Sequence, residues 1–586
     1  GHPIEHLMED ARKRFDAMLK DEAASLEDAA AKYRARRARH PPPGFDAWYT
    51  YATESGALVV ESFFDQIYHD LAPFWGMDPR SLRQLAHAFS PKISIRGGVV
   101  DAEAKNSYER LKQTMNMIQT LAKHPQVRLP DVNVPVNVNE EVGMLVPWET
   151  VDTTLSLAGN ILASPNDVID EFSPVDEEEY VDFTFDPEWL DGRLMHPSSN
   201  WLGPRPLWSL VQPACPPDSP TRNEPLLEDI WHSEGHTSQE HSAAALLPLG
   251  APTGTLQGYV KNWTTTTDVC LFPLLQALHG GFVAPSTMAV TQKLFPLFSS
   301  SKLSTSNEAL IPSVGDWNAS DYISAPQPWA EKTDKLFWRG AATGGKNTAQ
   351  NWQRFHRHRF VSMLNATHVE IAEGLLHAGN ESMIGLGYAR NFRLLPANEY
   401  HLATQKCGKM ADWVSGLADA AFRDLRCEEW VEGGACPYVE EYFGVKKEVD
   451  EDEGQGSCKY AAIIDGDGGD DGGAFLQALR AGKVALKGSV YQQWYDARVV
   501  PWLHFVPMDN MFVDLYGIME YFMGTTNTGD AHDKQAKKIA EGGREWADKV
   551  LRKEDMLIYV YRLLLEYARI VDDSRERLGW VDDLVR

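Results

Sequence analysis

The sequence predicts an α/β protein built as two large lobes with helical additions at both ends. Three observations carry this. The chain has 586 residues, and single hydrophobic cores stop growing near about 250–300 residues, so longer chains divide. After residue 280, short apolar runs alternate with helical stretches, the signature of repeated β-α units and a parallel sheet. Residues 5–39 and 534–571, near the two ends, read as helical throughout.

Taken in order, residues 5–39 are rich in Glu, Asp, Ala, Lys and Arg, with Leu7, Phe15, Met18 and Leu19 at helical spacing. Pro41-Pro42-Pro43-Gly44 ends that stretch, because proline lacks a backbone donor and restricts the residue before it. A distinct N-terminal arm is expected. From 46 to 125 amphipathic patterns dominate, in ESFFDQIYHDLAPFW and NSYERLKQTMNMIQTLAKH. LPDVNVPVNVNEE then alternates Val with polar neighbours, predicting a strand that runs into a loop carrying Glu140 and Glu141. A carboxylate-bearing loop at a strand end is a common seat of chemistry in α/β folds.

Residues 165–225 read as a solvated, loop-rich insertion around DEEEYVDFTFD. The runs KLFWRG, MIGLGYA, KYAAIIDGDG, KVALKGS and LHFVPM are the expected strands of the parallel sheet. In the tail, Ile539, Trp546, Val550, Met556, Val560 and Leu563 fall at helical spacing. No internal repeat is present.

A formal net charge of −27 argues against a nucleic-acid partner, because binding a phosphate backbone needs clustered Lys and Arg. It also disfavours anionic lipid surfaces, and any anionic ligand needs a local basic pocket. No run approaches the roughly 20 apolar residues of a membrane span, so no membrane contact is expected of these residues. The N-terminus reads GHPIEH, without a basic segment leading an apolar one. A signal or anchor is therefore expected to be absent or removed.

Six cysteines (Cys215, Cys270, Cys407, Cys427, Cys436, Cys458) contain no CxxC pair and allow up to three disulfides, the alternative being buried thiols. Sequons at Asn262, Asn318, Asn365 and Asn380 are compatible with a secretory lumen.

The segment 335–360, KLFWRGAATGGKNTAQNWQRFHRHRF, places an apolar run before Arg339 and small residues, then a helix-like stretch with Arg354, Arg357 and Arg359. Glycine and alanine let a backbone approach a pyrophosphate, and an arginine adds a bidentate cation. On these residues alone, a purely structural strand-turn-helix is the commoner reading. The GKS or GKT ending of a Walker loop is missing. DGDGGDDGGAF invites a metal through Asp465, Asp467, Asp470 and Asp471 but fails the EF-hand pattern, so a flexible glycine-rich loop is expected and no metal is assigned. His232, His236 and His241 lack the adjacent glutamate of HExxH. Trp148, Trp317, Trp494 and Trp502 have flat apolar faces suited to a sugar ring or base, although aromatic residues serve cores more often.

Several of these segments, in fixed order, resemble glycosyltransferase family 90, the fungal capsule-associated enzymes and animal protein O-glucosyltransferases. WRGAATGG resembles the family's WRG-x-x-TGG element, and HPPPGFDAWYTYA with SFFDQIYHDLAPFW its fungal entry. LPDVNVPVNVNEEVGMLVPWE resembles the strand ending in the family's acidic loop. YAAIIDGDGG followed by KVALKGSVYQQWYDARVVPWLHFVPM resembles its late block. The resemblance implies a GT-B fold, two Rossmann-like lobes facing a cleft. On it the chain divides into an N-terminal helical extension (1–90), an acceptor-side lobe with the insertion (91–310), a donor-binding lobe (311–533) and C-terminal helices packing back across the lobes (534–586).

The implied activity is inverting, metal-independent transfer from a UDP-sugar to a hydroxyl of a mannose-containing glycan in the secretory pathway, in the Golgi lumen. UDP-xylose is preferred over UDP-glucose as donor. Matching positions make Glu140, with Glu141 beside it, the catalytic carboxylates. They put Arg339, Gly340, Thr343, Gly344, Asp465, Gly466 and Ser489 at the donor, and the aromatic reading adds Trp148 and Trp317 at the acceptor. Arg498 and His504 also match, with roles that could be structural.

The chain departs from the family in two places: EEVGM stands where DEPRV is usual, and Ala474 stands where a second donor-site arginine is expected, for which Arg480 or another basic residue would substitute. These departures motivate a catalytically inactive glycan-binding relative as a rival. The Glu pair motivates a glycoside hydrolase, although neighbouring residues on a strand end point to opposite faces and hydrolases need two carboxyls about 5–10 Å apart across one sugar.

Overall fold

The computed structural model describes residues 1–159, 161–190, 207–227, 242–321, 326–349, 351–378, 389–426, 442–446, 457–525 and 531–585. The run at 383–388, the histidines 232, 236 and 241, Cys427, Cys436 and Asn380 lie outside these residues.

The strands β1 (Lys92–Arg96), β2 (Val99–Glu103) and β3 (Val132–Pro135) form an antiparallel sheet in the order β2-β1-β3. Gly97 and Gly98, both at positive φ, close the β1–β2 hairpin. Short pairs follow: β4 (Thr255–Leu256) with β5 (Tyr259–Val260), antiparallel, and β6 (Phe298–Ser299) with β7 (Ala309–Leu310), parallel. A bridge from Val136 to Phe298 joins the first sheet to β6. The region expected to form a Rossmann-like acceptor lobe thus carries, among the described residues, a mixed sheet with an antiparallel half.

The second half contains the parallel sheet that the apolar runs predict. It consists of β8 (Thr333–Ala341), β9 (Ala418–Asp424), β10 (Cys458–Ile464), β11 (Val484–Gly488) and β12 (Val506–Pro507), in the order β12-β11-β10-β8-β9. All of its pairings are parallel. Every residue of β10 and β11 is buried, as expected where both faces of a parallel sheet are covered. Because side chains alternate, Leu336, Trp338, Tyr460, Ala462, Val484 and Leu486 enter one core, and Ala461, Ile463 and Ala485 enter another with Phe475 and Leu476 of the helix Ala474–Arg480. Towards β8 and β9 that second face carries Phe337 and Arg339 and borders a cavity.

The helix Lys553–Ile570 is buried from Asp555 through Ile570. A helix enclosed on all sides must pair its charges, and it does. Glu566 accepts from Tyr33 Oη at 2.7 Å and Tyr68 Oη at 2.6 Å and pairs with Arg569, while Arg562 Nη2 reaches Glu61 Oε2 at 2.5 Å. Despite burial, the arginines Arg569 and Arg562 hold the Glu566 carboxyl below its ordinary range. Trp48 donates to Ile558 O at 3.0 Å. The helices on both sides of the Pro41–Gly44 break pack into the body: Ile4, Leu7 and Ala11 join the core under one sheet face, and Tyr33, Phe45 and Trp48 join the core around Lys553–Ile570.

Cys215 and Cys270 form a disulfide, whereas Cys407 and Cys458 are unpaired, so the third bridge allowed by the count is not formed. Among the described residues no helix is long and apolar enough to cross a membrane.

Candidate active site

A cavity of about 550 Å³ opens at the carboxyl ends of β8 and β10, where open parallel sheets place their ligands. Glu140 borders it, as do Arg339, Gly340 and Thr343 from the strand β8 and its turn and Gly466 and Asp467 from the turn after β10. The carboxylate loop and the arginine-glycine turn, about 200 residues apart in the chain, therefore border one space.

Glycine makes this approach feasible. A Cβ on Gly468 would stand 1.9 Å from Glu140 O, so the loop after β10 packs directly on the Glu140 backbone. Gly344 and Gly345 have φ of +87° and +123°, a conformation that strains other residues. Their amides converge at 2.9 and 3.0 Å on Asp467 Oδ1, which also accepts from Ser286 Oγ at 2.6 Å. The Gly344 amide assigned by sequence to a phosphate thus serves a side-chain carboxylate in this structure.

The Glu140 side chain is about half exposed, and its Oε1 lies 3.3 Å from Arg110 Nη2. Partial enclosure raises its carboxyl above the ordinary range, with Arg110 opposing and Asp470 and Asp467 adding to the rise. The same Arg110 holds Ser300 Oγ at 2.9 Å and Asp470 Oδ2 at 3.2 Å. Glu141 does not line the cavity. Its side chain bonds Thr287, and burial raises its carboxyl.

Arg339 is committed largely to its neighbour strand. It donates to Asp419 Oδ1 at 2.7 Å, Asp419 O at 2.9 Å and Trp338 O at 3.0 Å, and Asp419 also pairs with Lys446. Arg357 differs. It donates to Thr343 Oγ1 at 2.8 Å and to the carbonyl oxygens of Ala341, Ile464 and Asp465 at 2.8, 3.0 and 2.6 Å. Each of these acceptors is neutral, and the charges of Asp465 and Asp467 act on the guanidinium without a direct hydrogen bond. Burial lowers its pKa to about 10, still far above neutrality. Arg423 and Arg426, at the end of β9, line the same space, as does Ala474. Arg480 instead donates to Ser320 O.

The remaining predicted residues lie around rather than in the cavity. The Asp465 carboxylate accepts from Val490 N at 2.9 Å and stands 3.4 Å from His279 Nε2, while its carbonyl accepts from His356 Nε2 at 2.9 Å. It shapes the loop from behind. Ser489 is buried and accepts from Tyr491 N at 3.0 Å. Trp148 begins the helix Trp148–Leu157, and the Trp317 ring faces Lys553 Nζ at 4.6 Å; neither borders the cavity. Asp470 and Asp471 bind loop amides at Gly472 and at Gly473 and Phe475. The four aspartates of this loop thus face separate donor sets, and among the described residues no three His, Cys, Asp or Glu gather as metal ligands.

Arg110 and the β9 arginines were not singled out from sequence. Arg110 sits in a charged helical run that reads as solvent-facing, and β9 has the alanine-rich sequence ADAAFRD. The departure at Ala474 pointed to Arg480 or another basic residue, and Arg480 does not line the cavity.

What the arrangement offers is one half-exposed carboxylate with a raised pKa and a cluster of guanidinium groups bordering one space large enough for a sugar nucleotide. Residues 458–577, which supply one wall of that space and the two long C-terminal helices, match the sequence model for glycosyl transferase family 90, the family that the sequence motifs resemble.

Proposed function

We propose that the chain transfers a sugar from a UDP-sugar, xylose before glucose, to a hydroxyl of a mannose-containing glycan with inversion at the anomeric carbon. The observation that carries this reading is the shared cavity of Glu140 and the Arg339–Thr343 turn, with Arg357 and Arg423 beside them. In this reading the two sheets belong to the facing lobes of a GT-B enzyme.

The diphosphate lies against Arg357, Arg339 and the β9 arginines, with Gly340 and Gly466 leaving room for its oxygens. Glu140 takes the proton of the acceptor hydroxyl as that oxygen bonds to the anomeric carbon and the bond to the diphosphate oxygen breaks. A positioned base contributes about 10² to 10⁴ in rate, and fixed cations aimed at the departing charge are often the largest contribution. The guanidinium groups supply that charge without a metal. Glu141, turned towards Thr287, is assigned no step. The Cys215–Cys270 disulfide fits an oxidising secretory compartment, in keeping with a Golgi location.

The test is a donor panel: UDP-xylose, UDP-glucose and other UDP-sugars with short mannosides, following UDP release and product mass. Mannoside extended by one pentose supports the reading. Extension by a hexose alone moves the donor to UDP-glucose, glycan shortening without nucleotide contradicts transfer, and glycan binding without turnover identifies an inactive relative, as Ala474 would favour.

A further inference from the structure

The cavity does not end at the carboxyl ends of the strands. It continues along the sheet face between β8, β10 and the helix Ala474–Arg480, past Phe337 and Ala461, to Lys483. From Ala341 back to Phe337 is four residues, roughly 13 Å at about 3.3 Å per residue. The groove stays open because its walls are small: Ala461 on the strand, Ala474 and Ala478 on the helix, and Ala481 just beyond it.

Lys483 is only 4% exposed. Among the described residues its Nζ has neither a hydrogen-bond acceptor nor a carboxylate partner, and its near neighbour is the Phe337 ring, with the centroid at 5.8 Å. Burial lowers its pKa to about 8, with Cys458 opposing and Lys332 adding. The Lys483 side chain borders the groove, and its ammonium, which has donors only, is open to an acceptor placed there. The site is therefore complementary to a ligand that brings a flat ring for Phe337 and an acceptor oxygen for Lys483. Arg357 and Arg423 lie at the other end, beside Ala341, while the Arg339 guanidinium stands 5.1 Å from the Phe337 ring centroid.

Resting on the donor-cleft reading above, we propose that Lys483 reads the nucleotide base: its Nζ donates to the O4 carbonyl of a uracil stacked on Phe337. The ribose is attached at N1, which puts O2 beside the sugar and O4 at the far edge, the edge that reaches the floor of the groove. Cytosine carries an amino group at that position and sets N–H against N–H. Gln477, on the same helix face, offers an amide that both donates and accepts beside the N3–H.

The experiment measures equilibrium binding of UDP, CDP and inorganic pyrophosphate to the wild-type chain, Lys483→Met and Lys483→Gln. Methionine conserves volume and removes the unpartnered amine, so its melting temperature is expected to equal or exceed that of the wild type, and glutamine retains a donor. The wild type is expected to prefer UDP over CDP. Lys483→Met is expected to weaken UDP by roughly 10- to 100-fold, the range of a charged hydrogen bond, and to abolish that preference while leaving pyrophosphate unchanged. Lys483→Gln is expected to recover part of it.

Wild-type UDP affinity and preference in Lys483→Met overturn the assignment but leave the donor cleft standing. An equal loss of UDP and pyrophosphate also overturns it, making Lys483 a phosphate ligand. A wild-type chain that binds none of the three overturns the donor cleft itself and the assignment with it.

Discussion

Arg110 Nη2 stands 3.3 Å from Glu140 Oε1 while Nη1 of the same guanidinium holds Asp470 Oδ2 at 3.2 Å. One cation thus ties the carboxylate loop to the loop after β10 and opposes the rise that enclosure imposes on Glu140.

The first prediction concerns pH. A base must be ionised, so kcat/KM should rise with pH through a value above the ordinary glutamate range. Removing Arg110 takes away the cation that favours the ionised form, so Arg110→Gln should move this acid limb further upward and lower the rate at neutral pH. Profiles of kcat/KM against pH for both proteins check this, and coincident acid limbs would remove Arg110 from the site.

A second prediction follows from the contact of Gly468 with Glu140. Alanine at 468 cannot sit 1.9 Å from the Glu140 carbonyl oxygen, so one loop must shift. A displacement of about 1 Å at a reacting group can cost about 10²-fold in rate. Gly468→Ala should therefore lower kcat by about that factor with UDP affinity within about threefold of wild type. Unchanged kcat would mean that Glu140 need not be held there.

Third, the β9 arginines are expected to replace the arginine missing at Ala474. Arg423→Ala and Arg426→Ala should each raise the donor KM about tenfold, the scale of a charge-assisted hydrogen bond. Ala474→Arg, which adds a guanidinium to the same cavity, should offset the Arg423→Ala loss. Steady-state kinetics against donor concentration decide the matter, and no response to any of the three would place the diphosphate elsewhere.

Much of the fold was legible in the sequence. KLFWRG, KYAAIIDGDG, KVALKGS and LHFVPM became β8, β10, β11 and β12, because continuous apolar runs mark strands buried on both faces. The tail became the helices Asp533–Val550 and Lys553–Ile570. β9 was not legible: ADAAFRD has no apolar run, and its extended form comes from pairing with β8, a tertiary effect. The convergence of Glu140 with the Arg339 turn was legible from the order of motifs. The identity of the guanidinium that has only neutral hydrogen-bond partners was not. Arg339 stood in the recognisable motif, yet Asp419, visible only once β9 pairs with β8, occupies it and leaves Arg357 as the stronger charge. Lys483 reads in sequence as the first residue of the strand run KVALKGS, since nothing local reports that Ala478 and Ala481 leave an open groove beside it.

A fourth prediction concerns stability. Asp316 is buried, accepts from Trp494 Nε1 at 3.0 Å, and lies near Asp471 and Asp470. Burial first, then those two neighbours, push its carboxyl well above the ordinary range. The folded state then holds a proton that the unfolded chain releases, so stability is greatest at low pH and falls as pH rises through the raised value. Asp316→Asn keeps an acceptor for Trp494 and removes the titration. Its melting temperature should fall less than that of the wild type between pH 5 and pH 9, whereas parallel curves would contradict the burial argument.

The most direct test compares Glu140→Gln with the wild type, using UDP-sugar and short mannosides and following UDP release, product mass and UDP affinity together. Glutamine preserves shape and removes the base, so turnover should fall by about 10² to 10⁴ with UDP affinity within about threefold. Equal turnover by the two proteins would contradict the claim that Glu140 and the arginines of the same cavity act on one anomeric carbon.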